Sequence, residues 1–206
     1  MRKLVLLCIV LGACSSDDTV SSDEQARRAY LGLDGSIAKS INLGFDGFNA
    51  ATSANIAPQM GSGDATPGGT LTISGQVDQG ASANKQMRLY IGMVGYSDGA
   101  VPYDDKGHTV TITYDTSTTQ ADQPYLQMSL MNIPTGTLTG TLDSGTTMTG
   151  VYHLTGDIKG DVTLDLQITG NLMAGPNNTV VRVPGSTHVT GTATSGDGMY
   201  MVDLTI

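Results

Sequence analysis

Apolar residues recur at two different periods along this chain, and the change of period divides it. Leu33, Ile37, Ile41, Phe45 and Phe48 follow one another at spacings of 4, 4, 4 and 3, which places them on one face of an α-helix. The spacing predicts a helix over about 34–51, with Asp34 as its N-cap. Gly44 and Gly47 weigh against it, each costing about 1 kcal/mol relative to alanine in a helix interior. From about residue 69 the period becomes two. Leu71, Ile73 and Val77 alternate with polar neighbours, as do Met87, Leu89, Ile91 and Met93. So do Val110, Ile112 and Tyr114, then Leu126, Met128 and Leu130, then Leu138, Gly140 and Leu142. The most regular run is Val162, Leu164, Leu166 and Ile168, set against Asp161, Thr163, Asp165, Gln167 and Thr169. Alternation of this kind means strands with one buried and one wet face.

Val180, Val181, Val183 and Val189 continue the pattern, and the last run is read in either phase, Met199/Met201 or Tyr200/Val202/Leu204/Ile206. Ser97-Asp98-Gly99, Asp105-Lys106-Gly107, Ser144-Gly145, Lys159-Gly160, Pro184-Gly185 and Gly196-Asp197-Gly198 mark tight turns between runs. Asn55–Gly69, punctuated by two prolines and several glycines, reads as a loop. The expectation is a mainly β domain over 33–206: an antiparallel, meander-like barrel or sandwich of about nine or ten strands, with one N-terminal helix. With no Trp and 2 Phe, the chain lacks the aromatic girdles of a membrane-spanning barrel.

The first residues change the picture. Arg2 and Lys3 precede an apolar run, Leu4–Leu11, too short to span a bilayer and suited to a signal peptide. The run ends in Leu11-Gly12-Ala13-Cys14. This tetrapeptide resembles the lipobox of bacterial lipoproteins. The resemblance covers about 14 residues and implies that residues 1–13 are removed. It also implies that Cys14 receives a diacylglyceryl thioether and often an N-acyl chain such as palmitate. Ser15 in the next position is similar to the proteobacterial pattern for the outer membrane. Residues 14–32 are then expected to be the lipidated cysteine and a flexible, Ser- and Asp-rich tether.

Charge narrows the partners. Arg2 and Lys3 precede Cys14, leaving 8 basic against 19 acidic residues, a balance of −11 for the mature chain. Such a surface disfavours nucleic acid. Cys8 goes with the signal and Cys14 is acylated, so packing rather than a disulfide must hold the domain.

Candidate chemistry is sparse. His108, His153 and His188 are the histidines; His153 and Asp157 are expected on one strand face, but no Gly-x-Ser-x-Gly elbow accompanies them. Asp157, Asp161 and Asp165, or Asp98, Asp104 and Asp105, could offer oxygens to calcium, without EF-hand spacing. Met128 and Met131, or Met199 and Met201, raise copper(I), yet most of the nine mature methionines fall on alternating strand positions and read as core filling. Tyr90, Tyr96, Tyr103 and Tyr125 could serve as platforms for sugar rings, and Asn177-Asn178-Thr179 matches a glycosylation sequon that has no meaning in a bacterium. The residues therefore point to no catalytic site, cofactor or metal. The leading expectation is a lipid-anchored cell-envelope module that binds an envelope partner or is structural. A carrier of a small apolar ligand inside the barrel comes second. A hydrolase comes third.

Overall fold

The computed structural model describes residues 19–131, 140–176 and 179–206. One helix, α1 (Asp23–Ala50), precedes twelve strands: β1 (Asn55–Gly61), β2 (Thr70–Val77), β3 (Lys85–Val94), β4 (Ala100–Pro102), β5 (Thr109–Asp115), β6 (Tyr125–Met131), β7 (Gly140–Leu142), β8 (Thr147–Gly156), β9 (Gly160–Ala174), β10 (Val180–Arg182), β11 (His188–Ser195) and β12 (Gly198–Thr205). The protein is mainly β with one N-terminal helix and a large antiparallel sheet.

The pairings reduce the twelve strands to eight runs in chain order, with β3 and β4 forming one run along β6 and β5. Leu142 in β7 lies opposite Leu130 and Gly170, and Thr147 in β8 lies opposite Gln127 and Gln167. So β7 and β8 are two halves of one strand, interrupted by a turn in which Thr146 N–H donates to Asp143 C=O. In the same way β5 and β6 share one edge of β8, and β10 and β11 share the far edge of β9. A meander needs only short connections, which is why the turn signals recur so often. The sheet does not close on itself: among the described residues β1 pairs with β2 alone and β12 with β11 alone. Helix α1 touches both of these edge strands and occupies the concave side between them.

One row of facing residues crosses the whole sheet: Val202, Gly191, Leu166, Met148, Leu126, Leu89, Gly75 and Ile56. All its side chains point to the helix. The two glycines have positive φ, 145° and 153°, and a Cβ there would meet partner backbone oxygens at about 2 Å. They let the sheet bend sharply around the helix.

The helix is longer than its sequence pattern predicts. It starts at Asp23, capped by Ser22 Oγ, which accepts from the Gln25 N–H at 3.2 Å, and Asp34 lies well inside it rather than at its N-cap. Asp23 and Glu24 favour the start through the helix dipole, and Glu24 pairs with Arg27 and Arg28. The extra turns bury Ala26, Ala29 and Tyr30, continuing the face of Leu33 and Ile37. Their small or polar-tipped side chains hide the period. The predicted tether over 14–32 is corrected accordingly: Val20 is already 2% exposed, and Thr19 Oγ1 donates to Asp197 Oδ2 at 2.5 Å. Cys8, Cys14 and Ser15 lie outside the described residues.

Small residues form the contact line of α1. Gly32, Ser36, Ser40 and Gly44 are all buried at four-residue spacing, with Gly47 beyond them. A Cβ on Gly32 would lie 2.5 Å from Tyr114 Oη, and one on Gly44 would lie 2.8 Å from Met87 Sδ. The glycines that weakened the helix prediction are what let it approach the sheet. Tyr114 Oη donates to the Ala29 carbonyl at 2.7 Å, and Asn42 spans the helix and β10, donating to Val180 C=O at 2.8 Å and accepting from its N–H at 2.6 Å.

One strand expectation is corrected, one strand is added and one open phase is decided. Asn55–Gly61 is β1, bulged between Ile56 and Gln59, not loop. β8 does not show in the sequence periodicity, because Thr, Gly and His break its visible alternation although Met148, Tyr152 and Leu154 face inward. The last strand takes the Val202 phase: Val202 is buried, while Met199 and Met201 are 67% and 56% exposed. Leu138, Asn177 and Asn178 lie outside the described residues.

Candidate functional site

The side of the sheet away from the helix carries two neighbouring rows of interest. Met201, Thr192, Asp165, Thr149, Tyr125, Tyr90 and Ser74 lie in register across β12, β11, β9, β8, β6, β3 and β2. The next row ends in Gln127, Arg88, Gln76 and Asn55. Inward-facing Leu89, Ile91 and Leu126 oblige Arg88, Tyr90 and Tyr125 to face outward. Where the two rows reach β1 they line a cavity of about 410 Å³, within the range of small-molecule sites.

Each wall has a local cause. Tyr90 and Tyr125 are directly opposed, with ring centroids 5.2 Å apart and planes tilted by 57°. Burial pushes the Tyr125 phenol up, against the pull of the Arg88 cation. Arg88 is itself held by Asp78 at 3.1 Å. A 3₁₀ turn, Gln120–Asp122, brings Gln120 over the edge of the cavity, and its Nε2 donates to Ser74 Oγ at 2.6 Å. Gln76 Nε2 donates to Asn55 Oδ1 at 3.1 Å. The bulge in β1 between Ile56 and Gln59 lies beside Asn55, Ile56 and Pro58, which form the edge of the lining.

The other residues singled out in the sequence are dispersed. His153 and Asp157 do not share a strand face. β8 ends at Gly156, Asp157 accepts from the Thr111 N–H at 2.8 Å, and His153 Nδ1 instead meets Asp161 at 2.6 Å. His188 lies opposite Thr169 on β9, eight positions from Asp161, and pairs with Asp203 at 2.9 Å. His108 pairs with Asp104 at 2.6 Å, and this contact lowers the Asp104 pKa. All three histidines are on the surface, so the residues do not assemble a nucleophile, base and orienting acid.

The acidic groups are equally separated. Asp98 accepts from Lys39 Nζ at 2.5 Å and from Tyr96 Oη, and Asp104 serves His108; neither turns toward a shared cation with Asp105. No group of three or more candidate metal ligands occurs among the described residues. Among the tyrosine platforms, Tyr96 is buried and Tyr103 is covered by Arg28, whose guanidinium carbon lies 3.9 Å from the ring centroid. Only Tyr90 and Tyr125 of the four come together.

The methionine reading divides. Met87, Met93, Met128 and Met148 fill the core, whereas Met60, Met131, Met173, Met199 and Met201 are exposed. Met131 and Met199 thus follow the outward phase of their strands, and neither Met128–Met131 nor Met199–Met201 makes a buried thioether pair. A second concavity of about 280 Å³ is lined by Asp115, Asp122, His153 and Val151. The groove around Tyr90 was legible only as a list of tyrosines, because Asn55, Gln76 and Gln120 carry no motif. No helix among the described residues is long and apolar enough to cross a membrane. In comparisons with protein-family models, curated proteins and solved structures, nothing matches this chain.

Proposed function

We propose that the chain is a lipid-anchored, non-catalytic binding module of a bacterial cell envelope, attached through Cys14 to the outer membrane and engaging its ligand or partner on the outer face of its sheet. The observation that carries the reading is how few residues after Cys14 the chain is already packed against the domain. Val20 is buried and its carbonyl accepts from Ser195 Oγ at 2.6 Å, and Thr19 meets Asp197. Five peptide steps separate Cys14 from Thr19, no more than about 18 Å even when fully extended. Several acyl chains on Cys14 would anchor stably, where one would not. They would hold the turns at 196–198 and at Gly160, which lie beside Thr19, near the bilayer.

The carrier reading ranks second because α1 occupies the concave side, where a ligand of a lipocalin-type barrel would sit. Leu33, Ile37, Ile41 and Phe45 point into that space. A hydrolase ranks third, since the histidines are dispersed.

Metabolic labelling with palmitate and membrane fractionation test the reading. The full chain is expected to incorporate label and sediment with outer membranes, while Cys14→Ser is unlabelled and released. Equal fractionation of the two chains, with no label on either, would overturn it.

A further inference from the structure

We propose that the Tyr90–Tyr125 groove is a binding site for an uncharged saccharide. This rests on the reading of an outward-facing binding module and gives that module its ligand class.

Two tyrosine rings tilted by 57° at 5.2 Å give a pair of π faces in different orientations on one surface. A pyranose presents C–H groups on its faces and hydroxyls around its rim. The electron-rich ring faces attract the polarised C–H groups, as they attract positive ring edges in aromatic pairs. The rim needs partners that both donate and accept. Asn55, Gln76, Gln120 and Ser74 are of that kind. The Gln120–Ser74 and Gln76–Asn55 bonds hold these groups in place and use one donor or one acceptor of each amide. An amide offers two donors and an acceptor with two lone pairs, so each has capacity left for a hydroxyl.

The charge balance selects among polar ligands. Arg88 is the cation in the lining, and Asp78 already pairs with it. A phosphate or carboxylate would therefore meet a neutralised guanidinium on a chain of net charge −9. A purely apolar ligand would take water from the remaining donors and acceptors of the three amides and give nothing back. A neutral sugar or short glycan satisfies both the rings and the amides.

The test is a glycan array carrying neutral and acidic oligosaccharides, probed with the detergent-solubilised, lipidated chain and followed by calorimetry on the strongest neutral binder. Binding is expected to favour neutral glycans. Tyr90→Ala and Tyr125→Ala should each weaken it about tenfold. Tyr90→Phe should keep most of it, because the ring face remains, and Gln76→Leu should weaken it with both rings intact. These last two variants keep the test valid if an alanine variant fails to fold. A blank array, binding to acidic glycans alone, or binding unchanged in both the tyrosine and Gln76 variants would overturn the proposal. Palmitate labelling at Cys14 would stand unaffected in each of those cases, so the failure of the ligand class is distinct from the failure of the anchored-module reading.

Discussion

Arg182 and Asp34 meet as a two-bonded pair across 148 positions of sequence, Nη1 to Oδ1 at 2.7 Å and Nη2 to Oδ2 at 2.5 Å. The side chains are only 13% and 15% exposed, and Tyr30 Oη donates to the same carboxylate at 2.8 Å. Burial disfavours the Arg182 cation, yet the carboxylate outweighs it and raises the guanidinium pKa. The pair ties the middle of α1 to β10. Among the described residues β10 pairs with β9 alone, so the pair helps seat the helix against that edge.

Breaking one half of this pair leaves the other charge stranded. Arg182→Met is expected to destabilise the fold by about 3–5 kcal/mol, the usual result of orphaning a buried partner. Replacing Asp34, Arg182 and Tyr30 together by Leu, Met and Phe should recover most of the loss, since no polar group then remains unpaired. Urea denaturation midpoints at neutral pH provide the measurement. A single variant as stable as the parent would show that solvent reaches the pair.

The small-residue stripe of α1 predicts two changes of opposite sign. Gly32→Ala gains about 1 kcal/mol of helix propensity but drives a Cβ to 2.5 Å from the hydroxyl of Tyr114, itself fixed on Ala29. Overpacking of this kind costs about 1–3 kcal/mol, so the net effect is expected to be destabilising. Ser40, about one turn beyond Ser36 on the same stripe, is fully buried, and its hydroxyl finds no hydrogen-bond partner among the described residues. Ser40→Ala should therefore stabilise by roughly 1 kcal/mol. Thermal melts of the two variants should move in opposite directions.

Alkaline stability follows from the buried tyrosines. Burial pushes the phenols of Tyr30, Tyr96, Tyr114 and Tyr152 above their ordinary value. Their stabilising effect is fully present below the unfolded tyrosine pKa of about 10. Above it the unfolded chain releases protons that the folded chain keeps, so stability falls as pH rises toward the folded pKa values. The slope should be about 1.4 kcal/mol per pH unit for each such tyrosine. Urea melts from pH 8 to 11.5 should be flat and then drop beyond 10. Tyr152→Phe should drop less steeply; an identical slope would mean that Tyr152 ionises in the folded state.

Individual residues show why some of the fold was legible and some was not. The alternation of Val162, Leu164, Leu166 and Ile168 matches four buried positions of β9, because a half-buried strand writes its geometry directly into the order of side chains. β8 is not legible because its outward positions, Thr149, Val151 and His153, mix polar and apolar types around Gly150. The first turns of α1 are not legible because Ala26, Ala29 and Tyr30 bury their surface without spelling an aliphatic period. Tyr90 and Tyr125 were each visible as aromatic residues, but their pairing depends on the β3–β6 register.

The sequence alone determined the class of element at most positions, the short connections of a meander, and the resemblance of residues 11–14 to a lipobox. These depend on neighbours within a few residues, which is the distance over which side-chain period and turn chemistry act. Only the tertiary structure decided that the sheet stays open around α1, that Asp34 seats the helix instead of capping it, and that Tyr90, Tyr125, Gln76, Gln120 and Asn55 share one groove. Those relationships depend on strand register and on how closely the glycines of α1 let the helix approach, and both are set when distant segments compete for the same buried space.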